Sequence, residues 1–438
     1  MSISHPVVVK FGGATLSNPL QVVDLIRRRQ TEDGPIVVVL SAREGVTDLL
    51  RSIISAPRRR REHARILKRI TELHPNIPSE GRKRLDRLRR LVREAERRGK
   101  VDPPLADRLV SQGERLAVQW MLPQLVTAGI PAVGVEADHL GIITDNAYGA
   151  STILLDQSER AVRRTLLRWL RSGRVPVVTG FVGRSLEGRV TTLGRGGSDY
   201  TATALGAMLR ARRVELVKRG VSVLSGDPHR IPTARPIARL SYEEAEELAQ
   251  FGAKVLHPLT VEPARAFGIE IHVTPLDSPG ANTVIGPTSG PGGMRAVTLL
   301  TPVSLLRIRV PGGRQRPGVV AEVSRRLTAA RLNIVTLFTS STLLSVVLEA
   351  SHAGEGRQAL QPLADRDRMV LDGPHRVGLL TAIGEGVLRD VTLLSPTSLR
   401  LGEGLSATPR SVTLAVPVKD APHVLVEMHR ALVEGRTP

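Results

Sequence analysis

The sequence predicts an α/β protein: a mostly parallel sheet sandwiched by helices, followed by two small α+β modules. Three observations carry that expectation. Short β-branched runs alternate with helical patterns through the first two thirds of the chain, and the runs are apolar throughout, as in strands covered on both faces. At Gly286-Pro287-Thr288-Ser289-Gly290-Pro291-Gly292-Gly293 the composition changes abruptly, which marks a linker. A chain of 438 residues also exceeds what one hydrophobic core organises, and 41% hydrophobic residues can furnish several cores.

The elements follow in order. Val7-Val8-Val9 reads as a strand, Pro19 to Arg29 as a helix, Ile36 to Leu40 as a second strand and the basic stretch after Thr47 as mostly helical. The alternation continues with strands at Pro131 to Val135 and Val175 to Thr179, a helix from Ser198 to Arg210 and a strand near Val214 to Lys218. Beyond the linker, Ala296 to Val310 reads as strand, Val319 to Ala330 as helix, and Asn333 to Phe338 and Ser345 to Glu349 as strands. The theme then repeats with strands at Val377 to Ile383 and Ser411 to Val418 and a helix from Ala421 to Leu432. The expected domains are 1–285, a linker at 286–295, and modules at 296–366 and 367–438.

Composition narrows the chemistry. Cysteine is absent, which removes disulfides, thiolate metal sites and a Cys nucleophile. No apolar run is long enough to span a bilayer, and Met1 to Val9 carries no basic segment ahead of a long apolar stretch, so a cytoplasmic protein is expected. The net charge of +20 would attract polyanions, but much of the excess lies between Arg51 and Lys100, where it reads as solvated helix faces. With only 2% aromatic residues the stacking platforms of single-strand binders are lacking, so no nucleic-acid partner is expected. Only seven of the 62 basic residues are Lys, which draws attention to Lys10 and Lys254.

Five segments could carry chemistry. Lys10-Phe11-Gly12-Gly13 follows the first strand, where paired glycines let backbone amides approach a phosphate and a Lys supplies a point charge; a plain tight turn would look the same. Leu193 to Ala202 surrounds Arg195 with Gly194, Gly196 and Gly197 and enters a helix expected to be capped by Ser198, with Asp199 in its first turn. Arg195 could grip a carboxylate with both arms of its guanidinium. Ser111 to Arg115, with Glu114, and Ser41 to Thr47 leave the carboxyl ends of parallel strands, the usual ligand crevice of such sheets. Phe251 to Pro258 holds Lys254 among apolar neighbours, where an ammonium needs an anion.

In this order the segments resemble the aspartate kinases of the amino-acid kinase superfamily. The family pattern runs K-F-G-G-T-S, a loop ending in Gly-Val/Ile-Thr, Ser-x-Gly-Glu, G-R-G-G-S-D-Y, T-D-V-D-G…D-P-R and F-G-A-K-V-L-H-P. The matches here are Lys10 to Gly13, Gly45-Val46-Thr47, Ser111 to Glu114, Gly194 to Ala202, Asp227-Pro228 and Phe251 to Pro258. Lys218-Arg219-Gly220-Val221-Ser222 stands where the family carries T-D-V-D-G, D-P-R becomes Asp227-Pro228-His229-Arg230, and Ala14 replaces the first Thr.

The resemblance implies an amino-acid kinase fold with two ACT (ferredoxin-like) domains. It implies that Lys10, Phe11, Gly12 and Gly13 meet the ATP phosphates, together with Lys218, Arg219, Asp227, Arg230 and Lys254. Arg195, Gly196, Gly197 and Ser198 would hold the aspartate carboxylate, Glu114 and Asp199 its ammonium, and Ser41 and Thr47 the attacking β-carboxylate. Lys10 and Asp199 would be catalytic. Magnesium is expected as MgATP. The ACT pair implies an amino-acid effector and a homodimer or homotetramer. In lysine-sensitive members acidic residues near the second strand of this module meet the effector's ε-ammonium; Asn333 to Thr342 contains no carboxylate, so the resemblance implies threonine or no effector in preference to lysine. Two other readings compete: a regulatory paralogue without ATP chemistry, and a superfamily kinase with a different acceptor.

Overall fold

The structure is a computed structural model that describes residues 5–220, 222–252, 256–278, 282–290, 293–309, 318–340, 342–387 and 403–434. Two compact units interleave along the chain. One comprises Met1–Val223, Ala238–Ala245 and Val255–Gly290; the other comprises Leu224–Ile237, Glu246–Lys254 and Pro291–Pro438. Two short segments ahead of residues 286–295 thus cluster with the C-terminal unit.

In the first unit the strands are β1 (Val7–Phe11), β2 (Ile36–Leu40), β3 (Ala132–Val135), β4 (Ile143–Thr144), β5 (Val175–Thr179), β6 (Val182–Ser185), β7 (Val190–Thr192), β8 (Arg213–Lys218), β9 (Arg239–Ser241), β10 (Glu270–Pro275) and β11 (Thr283–Gly286). Eight of them form one sheet in the order β3-β5-β2-β1-β8-β10-β11-β9. The first six are parallel to one another, and β11 runs antiparallel to β10. A separate three-stranded sheet, β4-β6-β7, carries the turn ahead of the Gly-rich segment.

The pattern explains the layers. Every residue of β1 and β2 is buried, as both sheet faces are covered by helices. The helices are α1 (Pro19–Asp33), α2 (Val46–Ser55), α3 (Arg60–Glu72), α4 (Ser79–Arg98), α5 (Pro103–Val110), α6 (Gln112–Thr127), α7 (Ala137–Leu140), α8 (Leu155–Arg171) and α9 (Gly197–Leu209). α1 opens on the Asn18 side chain with Pro19 at its first position, and α5 opens in the same way on Asp102 and Pro103. α4 buries Leu85, Leu88, Leu91 and Val92 on one stripe and presents its other cations to solvent, as expected of a solvated face, while Arg84 turns inward to Glu136. No described helix is long and apolar enough to cross a membrane.

The second unit is built on one six-stranded antiparallel sheet in the order β13-β14-β12-β15-β17-β16. Its strands are β12 (Gly293–Arg309), β13 (Ile334–Thr339), β14 (Leu343–Glu349), β15 (Val370–Glu385), β16 (Glu403–Ala407) and β17 (Ser411–Pro417). The two expected modules thus share their sheet through the long β12 and β15 pair. Helices Val319–Ala329 and Ala353–Arg366 pack Val323, Leu327, Leu360 and Leu363 onto one half, and helix Ala421–His429 packs Val424, Leu425 and Met428 onto the other. Each half is thus an α+β layer, with its helices packed on the antiparallel sheet.

Candidate active site

Parallel strands end side by side at one rim, and the loops leaving that rim define a cavity of about 360 Å³. Lys10 reaches it from the end of β1, Gly13 from the loop after β1, Ser41 after β2, Thr47 from α2, Glu114 from α6, and Arg195 to Asp199 from the entry of α9. A Cβ on Gly13 would lie 2.5 Å from the Ala42 carbonyl oxygen, so only glycine lets the first loop pass the second this closely.

The electrostatic centre is a carboxylate between two ammonium groups. Asp199 Oδ1 lies 2.5 Å from Lys10 Nζ, and Asp199 Oδ2 lies 2.6 Å from Lys218 Nζ. Lys10 and Asp199 are buried, whereas the Lys218 side chain keeps 25% of its surface exposed. Burial opposes ionisation of Asp199, but the two lysines outweigh it and hold its carboxyl down at about 2. The position of Asp199 in the first turn of α9 adds the favourable helix dipole. Burial pulls the Lys10 ammonium below its usual range, with Asp199 opposing and Lys218 adding to the fall. Both oxygens of Asp199 are therefore taken by cations of the chain itself, which differs from its expected contact with a substrate ammonium.

Glu114 behaves in the opposite way. Its Oε1 accepts the Ala42 N–H at 3.1 Å, while the buried Oε2 has no hydrogen-bond partner. Burial pushes its carboxyl up to about 7. Between its usual 4.5 and about 7 the folded chain holds a proton that the unfolded chain has lost. This contribution is full at low pH and is lost as pH rises through the folded value. Glu114→Gln is accordingly expected to gain on the parent by on the order of 3 kcal/mol between about pH 5 and about pH 8, read by urea unfolding. An equal advantage at both pH values would contradict the buried, unpartnered carboxyl.

The Gly-rich turn is shaped by positive φ at Gly194 (74°) and Gly196 (69°). Gly196 is the N-cap of α9 and no side chain caps the helix, so the expected capping role of Ser198 is not found: the left-handed turn starts the helix at Gly197, one residue earlier. A Cβ on Gly196 would come within 2.4 Å of His257 Cβ. His257 itself caps helix Pro258–Ala266 through Nδ1, which accepts the Leu259 N–H at 3.4 Å. Arg195, by contrast, projects from the turn exposed at the mouth of the cavity. Arg195→Ala is expected to raise the KM of the carboxylate substrate at least tenfold with little change in kcat, because an exposed guanidinium adds binding equally to ground and transition states. An unaltered KM in steady-state kinetics would contradict that placement.

Other expected residues lie elsewhere. Phe11 is fully buried in the core behind the cavity, and Arg219 is exposed beyond β8. Asp227 and Arg230 pair with each other at 3.8 Å in a segment of the second compact unit. Lys254 and Val221 lie outside the described residues. Residues not foreseen also line the cavity, among them Arg43, Asp48, Arg51 and Phe181. Arg43 lies 4.0 Å over the Trp120 ring and donates to the Leu73 carbonyl, which fixes it. Phe181 has φ 67°, a strained backbone held by a 2.9 Å bond from its N–H to Thr201 Oγ1. The glycines marked the turn; nothing local marked Phe181, and Arg43 was hidden among so many arginines. Nearby, Glu136, Asp138 and His139 could share a metal among the described residues. Arg115 pairs with both carboxylates and Arg84 pairs with Glu136, so the cluster is an ion-pair network that holds α6 against the sheet.

Cations and glycine amides at the carboxyl rim of a parallel sheet define an anion-handling, phosphotransferase type of site. The amino acid kinase family matches residues 5–275. An aspartokinase of Thermus thermophilus is 31% identical over 69% of this chain and 71% of its own length. The lysine-sensitive aspartokinase 3 of Escherichia coli is 29% identical over 99% of this chain and 100% of its own. E. coli aspartokinase III in complex with aspartate and ADP (R-state) superposes with a TM-score of 0.83 at 25% identity, covering 97% of this chain and 99% of that one. Its complex with lysine and aspartate (T-state) gives 0.77 at 26% identity, covering 98% and 100%. The chain belongs to the amino acid kinase family and, within it, to the aspartokinases.

Proposed function

We propose that the protein transfers the γ-phosphoryl group of ATP, bound as its magnesium complex, to the β-carboxylate of L-aspartate, giving 4-phospho-L-aspartate for lysine, threonine and methionine biosynthesis. The observation that carries this reading is the pair of ammonium groups on one carboxylate, beside an unpartnered buried carboxyl oxygen and an exposed guanidinium. Arg195 takes the α-carboxylate, and the free Glu114 Oε2 takes the α-ammonium, since Asp199 is already engaged. Ser41 and Thr47 steady the β-carboxylate. One of its oxygens forms a bond to the γ-phosphorus as the bond from phosphorus to the β,γ-bridging oxygen breaks; ADP leaves with that electron pair. The attacking carboxylate is already ionised, so no general base is needed. Lys10 and the Gly12 and Gly13 amides stabilise charge on the moving phosphoryl.

Residues 1–285 would form the catalytic domain, and 296–366 and 367–438 the regulatory pair, assembled as a homodimer or homotetramer in the cytoplasm. Threonine, or no effector, is expected in preference to lysine, as no carboxylate lies in Asn333 to Thr342 to meet a second ammonium. The activity is tested by trapping β-aspartyl hydroxamate from MgATP, aspartate and hydroxylamine with purified protein. Hydroxamate formed in proportion to enzyme supports the reading. Its absence while aspartate still binds would favour the regulatory paralogue, and product with another acceptor only would favour a different superfamily kinase.

A further inference from the structure

We propose that Lys218 is a second catalytic ammonium, which meets the transferring phosphoryl group from the side opposite Lys10, with Asp199 as the positioning residue for both. The inference rests on the phosphoryl transfer proposed above. It arises from strand register: β1 and β8 are parallel with Phe11 opposite Val217, so the next residues, Gly12 and Lys218, stand at one level. Gly12 has no side chain to fill the gap. A Cβ there would lie 3.5 Å from Lys10 Nζ and 3.9 Å from the Val217 carbonyl oxygen, so the space beside Lys10 opens toward the end of β8.

Asp199 then fixes both ammonium groups without cancelling them. One oxygen serves each lysine, at 2.5 and 2.6 Å, and the trio keeps one net positive charge. A half-compensated, partly desolvated pair of cations is stabilised by an arriving anion, and most by one gaining charge on several oxygens at once. Lys218 is accessible for this: a quarter of its side chain is exposed, against 6% for Lys10. The lysines of the helical faces differ, since Lys68 and Lys83 pair with exposed Glu72 and Glu80 across helix turns. The competing role is simple neutralisation of Asp199, which would leave the chemical step untouched.

The test uses the full chain, whose hydroxamate activity is measured first. If the parent is inactive the functional reading fails; the Lys218 assignment is judged against an active parent. Lys218→Met is expected to lower kcat about 100-fold while KM for MgATP and for aspartate stays within about threefold. Its affinity for ADP with aluminium fluoride and aspartate, which stand in for the phosphoryl in flight, should fall by a similar factor while affinity for ADP alone holds. Lys218→Arg, which keeps a charge on Asp199, should recover part of kcat. Parental kcat in Lys218→Met, a loss confined to KM, or unaltered affinity for the fluoride complex would each overturn the assignment. If Lys218→Met does not fold by urea melting, Lys218→Gln is put through the same measurements.

Discussion

Asp199→Asn is expected to destabilise the protein by about 3 kcal/mol, because it strips the shared counter-ion from two ammonium groups that both contact it. The cost is less than for a fully enclosed pair, since Lys218 reaches solvent. The carboxyl is held at about 2, well below its usual 3.8. Its stabilisation is therefore fully present above the unfolded value and lost as pH falls through the folded one, so parent and variant should converge in acid. Urea unfolding at neutral and acid pH measures this, and a variant as stable as the parent at neutral pH would contradict the paired-lysine geometry. Activity should fall with stability still adequate for folding, as both lysines lose their anchor.

Lys10→Ala carries the largest expected effect on turnover, a loss of roughly a thousand-fold in kcat. Lys10 sits at the strand end beside Gly12 and Gly13, and its ammonium is aimed by Asp199, so it acts on charge that appears only in the transition state. Aspartate KM should change little, because Arg195 and Glu114 hold that substrate from other elements. Steady-state kinetics with both substrates varied would read the split. A variant that kept kcat and lost only nucleotide affinity would reduce Lys10 to a binding residue.

The fold was legible wherever a local pattern decides structure. Ile36 to Leu40 and Val175 to Thr179 are observed with the bounds their β-branched runs suggest, since strands buried on both faces read as nearly continuous apolar runs, here with Thr179 as the one polar residue. The site was legible where glycines betray close backbone approach, as at Gly13 and Gly196. What stayed hidden depends on distant parts of the chain. The contact of Lys218 with Asp199 is set by β1 pairing with β8 and by α9 starting at Gly197; no spacing rule connects positions 19 residues apart on a helix and a strand. The start of α9 was misplaced because Ser198 satisfies the usual side-chain preference, while the left-handed glycine turn makes that cap unnecessary. The grouping of Leu224–Ile237 with the C-terminal unit likewise leaves no mark in composition.

The proposed transfer depends on where the phosphoryl group lies. A crystal structure of the full chain with ADP, magnesium, aluminium fluoride and aspartate tests it most directly. The fluoride is predicted over Gly12 and Gly13 with Lys10 and Lys218 on opposite sides, Arg195 on the α-carboxylate and Glu114 on the ammonium. Density for the fluoride or the nucleotide phosphates away from the Lys10–Asp199–Lys218 trio would contradict it.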